Sequence, residues 1–222
     1  MYKDLSFKKT MIPDSLPMFV QEHYKNITAL TPIQQKCVDN GLLLDQNILA
    51  CAPTASGKTL VGTMAMMSKI NKGKVIYIAP LRALAQEKYK SYKKMLEDSE
   101  YTCTISTGET ESSEYLGKYD LLVLTTEKLD SCIRQGASWI NEIACVVIDE
   151  IHLLHDNSRG PTLEIILTLL MTLTKTQIVG LSATIGNPAK LAQWLNAKLV
   201  QDSWRPVTLK KGIYTNNLEF FS

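Results

Sequence analysis

Short, continuous apolar runs alternate along this chain with segments of helical periodicity, and this alternation limits the fold more than any other feature. Six runs are strand candidates, at residues 47–51, 74–79, 101–106, 121–124, 144–148 and 177–181. Helical patterns lie between most of them, at 59–70, 81–97, 126–135 and 159–174. Strands that are apolar throughout are typical of parallel sheets covered by helices on both faces. The sequence therefore predicts an α/β fold with a mainly parallel sheet and helices on both faces.

The length and composition suit one domain of this class. The chain has 222 residues, of which 45% are hydrophobic and 21% are charged, as in soluble globular proteins. Two helical segments, roughly 13–24 and 31–43, precede the first strand. The net charge is only +2, so overall charge does not indicate a nucleic-acid partner, and any basic surface must be local. We therefore expect residues 1–222 to form a single domain with an N-terminal helical segment over about 1–43.

Cysteine usage and targeting signals predict an intracellular, cytoplasmic setting. The five cysteines, at 37, 51, 103, 132 and 145, form no C-x-x-C pair, and several lie in apolar strands. Such a pattern is typical of buried free thiols in a reducing compartment. The first ten residues lack the apolar core of a signal peptide. The apolar stretch 163–173 is too short to span a bilayer and is predicted to be a buried helix, so no membrane association is expected.

The segment ACAPTASGKTL, residues 50–60, has nearly the pattern of a phosphate-binding loop, G-x-x-x-x-G-K-[ST], with Ala52 in place of the first glycine. Backbone N–H groups of such a loop surround a phosphate at the start of a helix. Gly57 permits the closest approach of backbone to phosphate, Lys58 supplies charge to the β- and γ-phosphates, and Thr59 offers a hydroxyl to Mg²⁺. The predicted loop comprises Ala52, Pro53, Thr54, Ala55, Ser56, Gly57, Lys58 and Thr59.

The strand candidate 144–148 ends in Asp149 and Glu150, the acidic pair that a phosphate-loop NTPase needs opposite its loop. Asp149 is suited to hold Mg²⁺ through water, and Glu150 to polarise the attacking water. The alternative is a helix whose first turn carries acids that favour its dipole. His152 and His155 lie near Asp149 and Asp156, but a zinc site is disfavoured, because zinc sites usually need more and better-spaced ligands and no third His or Cys lies nearby in sequence. Together with the loop, the acidic pair favours ATP hydrolysis with Mg²⁺.

These segments resemble, in order, the motifs of the first RecA-like motor domain of superfamily-two DExH-box helicases, over about residues 25–215. LTPIQQ (30–35) is similar to the Q motif, which implies that Gln34 contacts adenine. The family often has alanine first in its phosphate loop, so Ala52 fits. APLRALAQEK (79–88) and TTEKLD (125–130) resemble motifs that face nucleic acid, which implies contacts around Arg82, Thr125 and Thr126. DEIH and SAT imply that His152, Ser182 and Thr184 couple the ATP site to nucleic acid.

Longer stretches are similar to one branch, the Ski-like helicases. DEIHLLHDNSRGPTLE (149–164), TEKLDSCIRQGASWI (126–140) and WRPVTLKKGIY (204–214) most resemble archaeal DNA-repair helicases related to the helicase part of polymerase theta. The first stretch is also similar to spliceosomal members that act on RNA. The resemblance therefore implies a 3′–5′ ATP-dependent DNA helicase of repair and replication-fork processing, with single-stranded or forked DNA as partner, while RNA remains open.

Helicases of this superfamily bind ATP between two RecA-like domains, and the second domain supplies arginine fingers. No motif of that second domain is found here, so we expect the chain to be part of a longer, monomeric protein, with residues of about 204–222 leading into the second domain. A different possibility is a nucleotide-gated binding module without hydrolysis. Loss of Lys58, Asp149 or Glu150 would favour that alternative, and all three are present.

Overall fold

The computed structural model describes residues 12–108, 112–156, 160–207, 211–214 and 218–221. Residues 1–11 of the predicted N-terminal segment, and parts of the predicted 204–222 segment, lie outside the described residues. The helices are α1 Met18–His23, α2 Pro32–Asp39, α3 Lys58–Met67, α4 Arg82–Met95, α5 Thr126–Arg134, α6 Gly160–Leu173 and α7 Pro188–Trp194. Short 3-10 helices lie at Glu114–Lys118, Ser138–Glu142 and Ile151–His155.

Seven strands form one sheet in which every pairing is parallel. They are β1 Ile48–Cys51, β2 Lys74–Ile78, β3 Cys103–Ser106, β4 Leu121–Leu124, β5 Ile143–Ile148, β6 Gln177–Ser182 and β7 Lys198–Gln201. Their order is β3-β4-β2-β5-β6-β1-β7. Two further strands, β8 Lys211–Tyr214 and β9 Leu218–Phe221, pair antiparallel with each other. The six predicted strands are all present, and the predicted parallel sheet is confirmed.

Two apolar cores cover the two faces of the sheet, because neighbouring residues of each strand point to opposite sides. In β1, Ile48 and Ala50 join the core beneath α3, whereas Leu49 and Cys51 join the core that contains α6 residues. The glycine at position 62 allows α3 to lie close to the sheet, since a Cβ there would be 2.7 Å from Val147 Cγ1. Helices therefore cover both faces, as the sequence predicts.

Several elements differ from the sequence-based prediction. The N-terminal helices are shorter than 13–24 and 31–43, because α1 begins after Pro17 and α2 ends before Gly41, which has a φ of 90°. The stretch 163–173 does form a helix, but it buries only one face, and Leu173 is largely exposed. Strand β7 and helix α7 were absent from the prediction.

The cysteines are free thiols, four of them buried and Cys103 partly buried. Burial raises the pKa of Cys37 and of Cys145 to about 12, so these thiols stay protonated near neutral pH. In the described part of the chain, no helix is long and apolar enough to cross a membrane.

Candidate nucleotide-binding site

The loop between β1 and α3 has the backbone form that phosphate binding requires. Ala55 and Gly57 have φ values of 65° and 93°, and α3 begins at the next residue, Lys58. Left-handed backbone is costly for residues other than glycine, and such strain clusters at functional sites. A Cβ at Gly57 would also overlap the amide nitrogen of Gln34. Both the backbone angle and the neighbouring Gln34 side chain therefore favour glycine at position 57.

Residues before β1 hold this loop in place. Thr31 and Gln34 form a capping box at the start of α2, in which the Thr31 N–H donates to Gln34 Oε1 at 2.8 Å. The Thr31 hydroxyl donates to the Ser56 carbonyl at 2.8 Å, and Gln34 Nε2 donates to the Gly57 carbonyl at 2.9 Å. Gln34 is only 4% exposed. The segment predicted to read adenine thus also pins the backbone of the phosphate loop.

Lys58 lies close enough to Asp149 and Glu150 for their negative charges to affect its pKa. Its ammonium donates to the carbonyl oxygens of Ala52 at 2.6 Å and Pro53 at 2.9 Å. Burial lowers the pKa of Lys58 below its ordinary value, and the negative charges of Glu150 and Asp149 offset only part of that decrease. The charge on Lys58 of the phosphate loop therefore interacts with the charges of the acidic pair, Asp149 and Glu150.

The remaining loop residues differ in exposure. Ala52 and Pro53 are buried, whereas Thr54, Ala55 and Thr59 are exposed at the mouth of the loop. Ser56 is 1% exposed, and its hydroxyl has no hydrogen-bond partner among the described residues. Buried polar atoms normally have partners, so the Ser56 hydroxyl is a candidate ligand contact.

The acidic pair follows β5 directly. The Asp149 N–H donates to the carbonyl of Ile78, the last residue of β2, at 3.0 Å. Its Oδ1 accepts from the Glu150 N–H at 3.1 Å, and its Oδ2 accepts from the Tyr77 hydroxyl at 2.5 Å. Glu150 has a φ of 52°, a strained conformation that turns the chain sharply out of the strand.

His152 bridges the acidic pair and the end of β6. Its Nδ1 lies 3.3 Å from Glu150 Oε2 and 3.5 Å from Ser182 Oγ. Ser182 is fully buried, whereas Thr184, two residues further on, is exposed. The structure therefore brings His152 and Ser182 together as one contact, and it places Thr184 on the surface beside them.

The residues predicted to meet nucleic acid lie at the carboxyl ends of β2 and β4, which are neighbours in the sheet. Arg82 is exposed at the start of α4. Thr125 and Thr126 are largely buried, and the Thr125 hydroxyl caps α5 by accepting from the Lys128 N–H at 3.4 Å. Beside them ends β3, where the buried Ser106 hydroxyl has no partner among the described residues.

Sequence reasoning missed two residues of this site, Thr31 and Tyr77. The capping-box spacing of Thr31 and Gln34 was visible, but their contacts with the loop depend on folding. Tyr77 stands in an aliphatic strand, where its hydroxyl was the only signal of a polar partner.

The oxygen donors at the site suit Mg²⁺, which prefers carboxylate, hydroxyl, phosphate and water oxygens. Asp149 is partly exposed, and Thr59 is exposed in the first turn of α3. Within the residues that the structure describes, no group of three or more His, Cys, Asp or Glu side chains is arranged to hold a metal. Mg²⁺ needs no such cage, because it takes one or two carboxylates together with substrate phosphates and water.

Comparisons with known proteins agree with this geometry. The curated relatives include proteins named ATP-dependent DNA helicase Hel308. That of Methanococcus vannielii is 49% identical over 199 residues, which are 86% of this chain and 26% of the relative. The corresponding values are 49%, 88% and 17% for Methanocaldococcus jannaschii, and 46%, 89% and 28% for Pyrococcus abyssi. The chain thus spans 17–28% of the length of these relatives.

A solved structure, the DUF1998 helicase MrfA bound to DNA, matches with a TM-score of 0.71 and 21% identity. The match covers 88% of this chain and 31% of that protein, and it shows a shared fold. The family model described as DEAD/DEAH box helicase matches residues 31–191, from the start of the capping box to α7. The resemblance inferred from the motifs is therefore confirmed, and the chain belongs to the DEAD/DEAH box helicase family.

Proposed function

We propose that the chain is the ATP-binding motor domain of an ATP-dependent DNA helicase that hydrolyses ATP to ADP and phosphate. The observation that carries this proposal is the strand order β5-β6-β1. It sets the acidic pair, the His152–Ser182 contact and the phosphate loop side by side at the carboxyl edge. Ligands of open α/β sheets bind at that edge.

The residues of the loop and of the acidic pair divide the work of phosphoryl transfer. The loop from Ala52 to Thr59 holds the phosphates, Lys58 stabilises charge on the β- and γ-phosphates, and Glu150 orients the attacking water in line with the bond to be broken. Asp149 and Thr59 hold Mg²⁺, which neutralises phosphate charge when bound. The chain contributes mainly positioning and electrostatics. Gln34 contacts both the phosphate loop, through the Gly57 carbonyl, and adenine.

Nucleic acid contacts the other half of the carboxyl edge, around Arg82, Thr125 and Thr126. Both threonine side chains are largely buried. The backbone amides of these residues are therefore favoured over their hydroxyls as the groups that contact nucleic acid. Contacts of this kind go to phosphates and carry no sequence information. That suits a motor that moves 3′–5′ along single-stranded or forked DNA during repair and fork processing. His152, Ser182 and Thr184 couple the two halves.

We further infer that a second RecA-like domain and accessory domains complete the enzyme, which works as a monomer. The relatives support this inference, since they are several times longer than this chain. The free cysteines favour a reducing, cytoplasmic setting. DNA is preferred over RNA as substrate because the relatives are named as DNA helicases. An RNA helicase remains the second candidate, on the similarity of residues 149–164 to spliceosomal members.

The test is an ATPase assay of the full-length protein with single-stranded DNA and with RNA of the same sequence. We expect stronger stimulation by DNA, and loss of turnover in Glu150→Gln. Stronger stimulation by RNA would establish the RNA helicase instead. ATP binding without turnover under either condition would support the nucleotide-gated binding module.

A further inference from the structure

We propose that Tyr77 is a positioning residue for magnesium-assisted nucleotide binding, because its hydroxyl fixes the carboxylate of Asp149. This inference rests on the proposed function. The Tyr77 hydroxyl lies 2.5 Å from Asp149 Oδ2, and the tyrosine is completely buried. Tyr77 touches neither substrate nor metal in this proposal; it acts through Asp149.

The sheet brings the two residues together. Tyr77 pairs in register with Val147 on the neighbouring strand β5, two residues before Asp149. Side chains alternate between faces, so Tyr77, Val147 and Asp149 all point toward the side of the sheet that α3 covers. The hydroxyl of a tyrosine at this position therefore reaches just past the end of β5.

The surroundings of the ring leave its hydroxyl little freedom. The Tyr77 ring lies 5.7 Å from the Tyr92 ring, centroid to centroid, and the Tyr92 hydroxyl lies 3.3 Å from Thr63 Oγ1 on α3. The apolar core cluster that contains Tyr77 also includes Val75, Val123 and Val147. A phenylalanine would fill the same space, so the hydroxyl contributes a hydrogen bond rather than volume.

Both oxygens of Asp149 are consequently held from within the chain. Oδ1 accepts from the Glu150 N–H and Oδ2 from Tyr77. Each oxygen keeps a further lone pair for water or metal. A carboxylate with one fixed orientation presents those lone pairs in one direction, as hydrogen-bonding partners behind metal ligands commonly ensure.

The test measures how magnesium strengthens binding of a fluorescent ADP analogue to the 222-residue chain. Tyr77→Phe keeps the ring and removes one oxygen. We expect it to raise the Mg²⁺ concentration for half-maximal strengthening about 10-fold, the lower end of the range for residues behind metal ligands. Its affinity in EDTA should stay at the wild-type value. Wild-type magnesium dependence in Tyr77→Phe would overturn the proposal.

Two controls separate positioning from general damage. Tyr92→Phe removes an equally buried hydroxyl of the same cluster without touching Asp149, and it should leave the magnesium dependence unchanged. In an Asp149→Ala background, Tyr77→Phe should have no further effect on ADP affinity, because the group it acts on is gone. An equal shift in Tyr92→Phe, or an additive effect with Asp149→Ala, would overturn the proposal. If Mg²⁺ does not change the ADP affinity of the wild-type chain, that result would instead overturn the proposed function itself.

Discussion

Gln34 has the hydrogen-bonding capacity to serve the fold and the base at once. Its amide has two N–H donors and two oxygen lone pairs. The bonds to the Gly57 carbonyl and from the Thr31 N–H use one donor and one lone pair. The remaining donor and lone pair match the edge of adenine, which offers one acceptor and one donor side by side. Thr31 pins the same loop through Ser56 but has no such pair to offer a base.

This difference predicts distinct effects of two variants. Gln34→Ala should weaken ADP binding more than GDP binding, with about 1–3 kcal/mol of discrimination lost, since a polar group loses its partners. Thr31→Val should weaken both nucleotides by the same factor, because it loosens only the loop. Titration of each variant with ADP and GDP measures this. Equal ADP and GDP affinity in the wild-type chain would contradict adenine reading by Gln34.

A second prediction separates binding from chemistry in the full-length protein. Lys58→Ala should weaken ATP binding and abolish turnover, because it removes the charge beside the phosphates. Glu150→Gln should keep ATP bound and stop hydrolysis, since the amide keeps the shape but cannot act as a base. Equilibrium binding and steady-state ATPase measure the two effects. Hydrolysis by Glu150→Gln at the wild-type rate would refute the role of Glu150.

For individual residues, the sequence predicts those that take part in the chemistry better than it predicts those that hold them in position. Lys58, Asp149, Glu150 and Ser182 follow from the motifs, and all lie at one edge of the sheet. The Tyr77–Asp149 contact joins residues 72 positions apart, and only the pairing of β2 with β5 creates it. The spacing of the motifs does not reveal that β2 and β5, which have two other strands between them in the chain, become neighbours.

Helix α3 depends on the residue that precedes it more than on its own composition. Its N-cap is Gly57 in the left-handed region, with no side-chain cap, so the first-turn N–H groups stay available for a phosphate. Gly136, which follows α5, is also left-handed, with a φ of 67°, but a Cβ there would meet nothing within 4 Å. An added Cβ would meet only backbone strain at Gly136, whereas at Gly57 it would meet the same strain and also overlap the Gln34 side chain.

We therefore expect unequal results from two alanine substitutions. Gly136→Ala should lower the free energy of unfolding by about 1–2 kcal/mol, the cost of left-handed backbone, with unchanged ADP affinity. Gly57→Ala should lower it further, because the new methyl group displaces Gln34, and it should abolish ADP binding. Chemical denaturation and ADP titration test both. Normal ADP binding by Gly57→Ala would show that the loop does not need its left-handed turn.

Among whole elements, those marked by an apolar run or a long helical period were predictable, whereas the edge strand β7 and the short helix α7 were not. The strand 121–124 matches its predicted bounds, and all four of its residues are buried. Edge strand β7 has one buried residue in four, Val200, and begins with lysine, so no apolar run marks it. Helix α7 has only seven residues, about two turns, which is too short for a periodicity to emerge.

At the scale of the molecule, the carboxyl edge of the sheet has two halves with different tasks. Strands β5, β6 and β1 carry the candidate ATP site, and β2 and β4 carry the candidate nucleic-acid contacts. A motor must hold its track at two places and change their spacing with each ATP. One domain offers one such place.

This requirement predicts the behaviour of residues 1–222 alone. The chain should fold, bind Mg-ADP weakly and hydrolyse ATP very slowly, without unwinding DNA. Arginine fingers supplied by a second domain would raise the rate by about 10³–10⁵. The measurement compares ATPase, with and without single-stranded DNA, between this chain and a longer one that adds the second RecA-like domain. Comparable DNA-stimulated turnover by both would refute the two-domain active site.

The place of β1 in the sheet also affects how the protein is made. Its partners are β6 and β7, and β6 begins at Gln177, 126 positions after β1 ends at Cys51. During translation, β1 therefore lacks both of its sheet partners until the residues from Gln177 onward have been synthesised. An apolar strand with open edges invites pairing with other chains. We therefore expect the phosphate loop, which follows β1, to form late in folding, and a nascent chain that ends before Gln177 to expose both edges of β1.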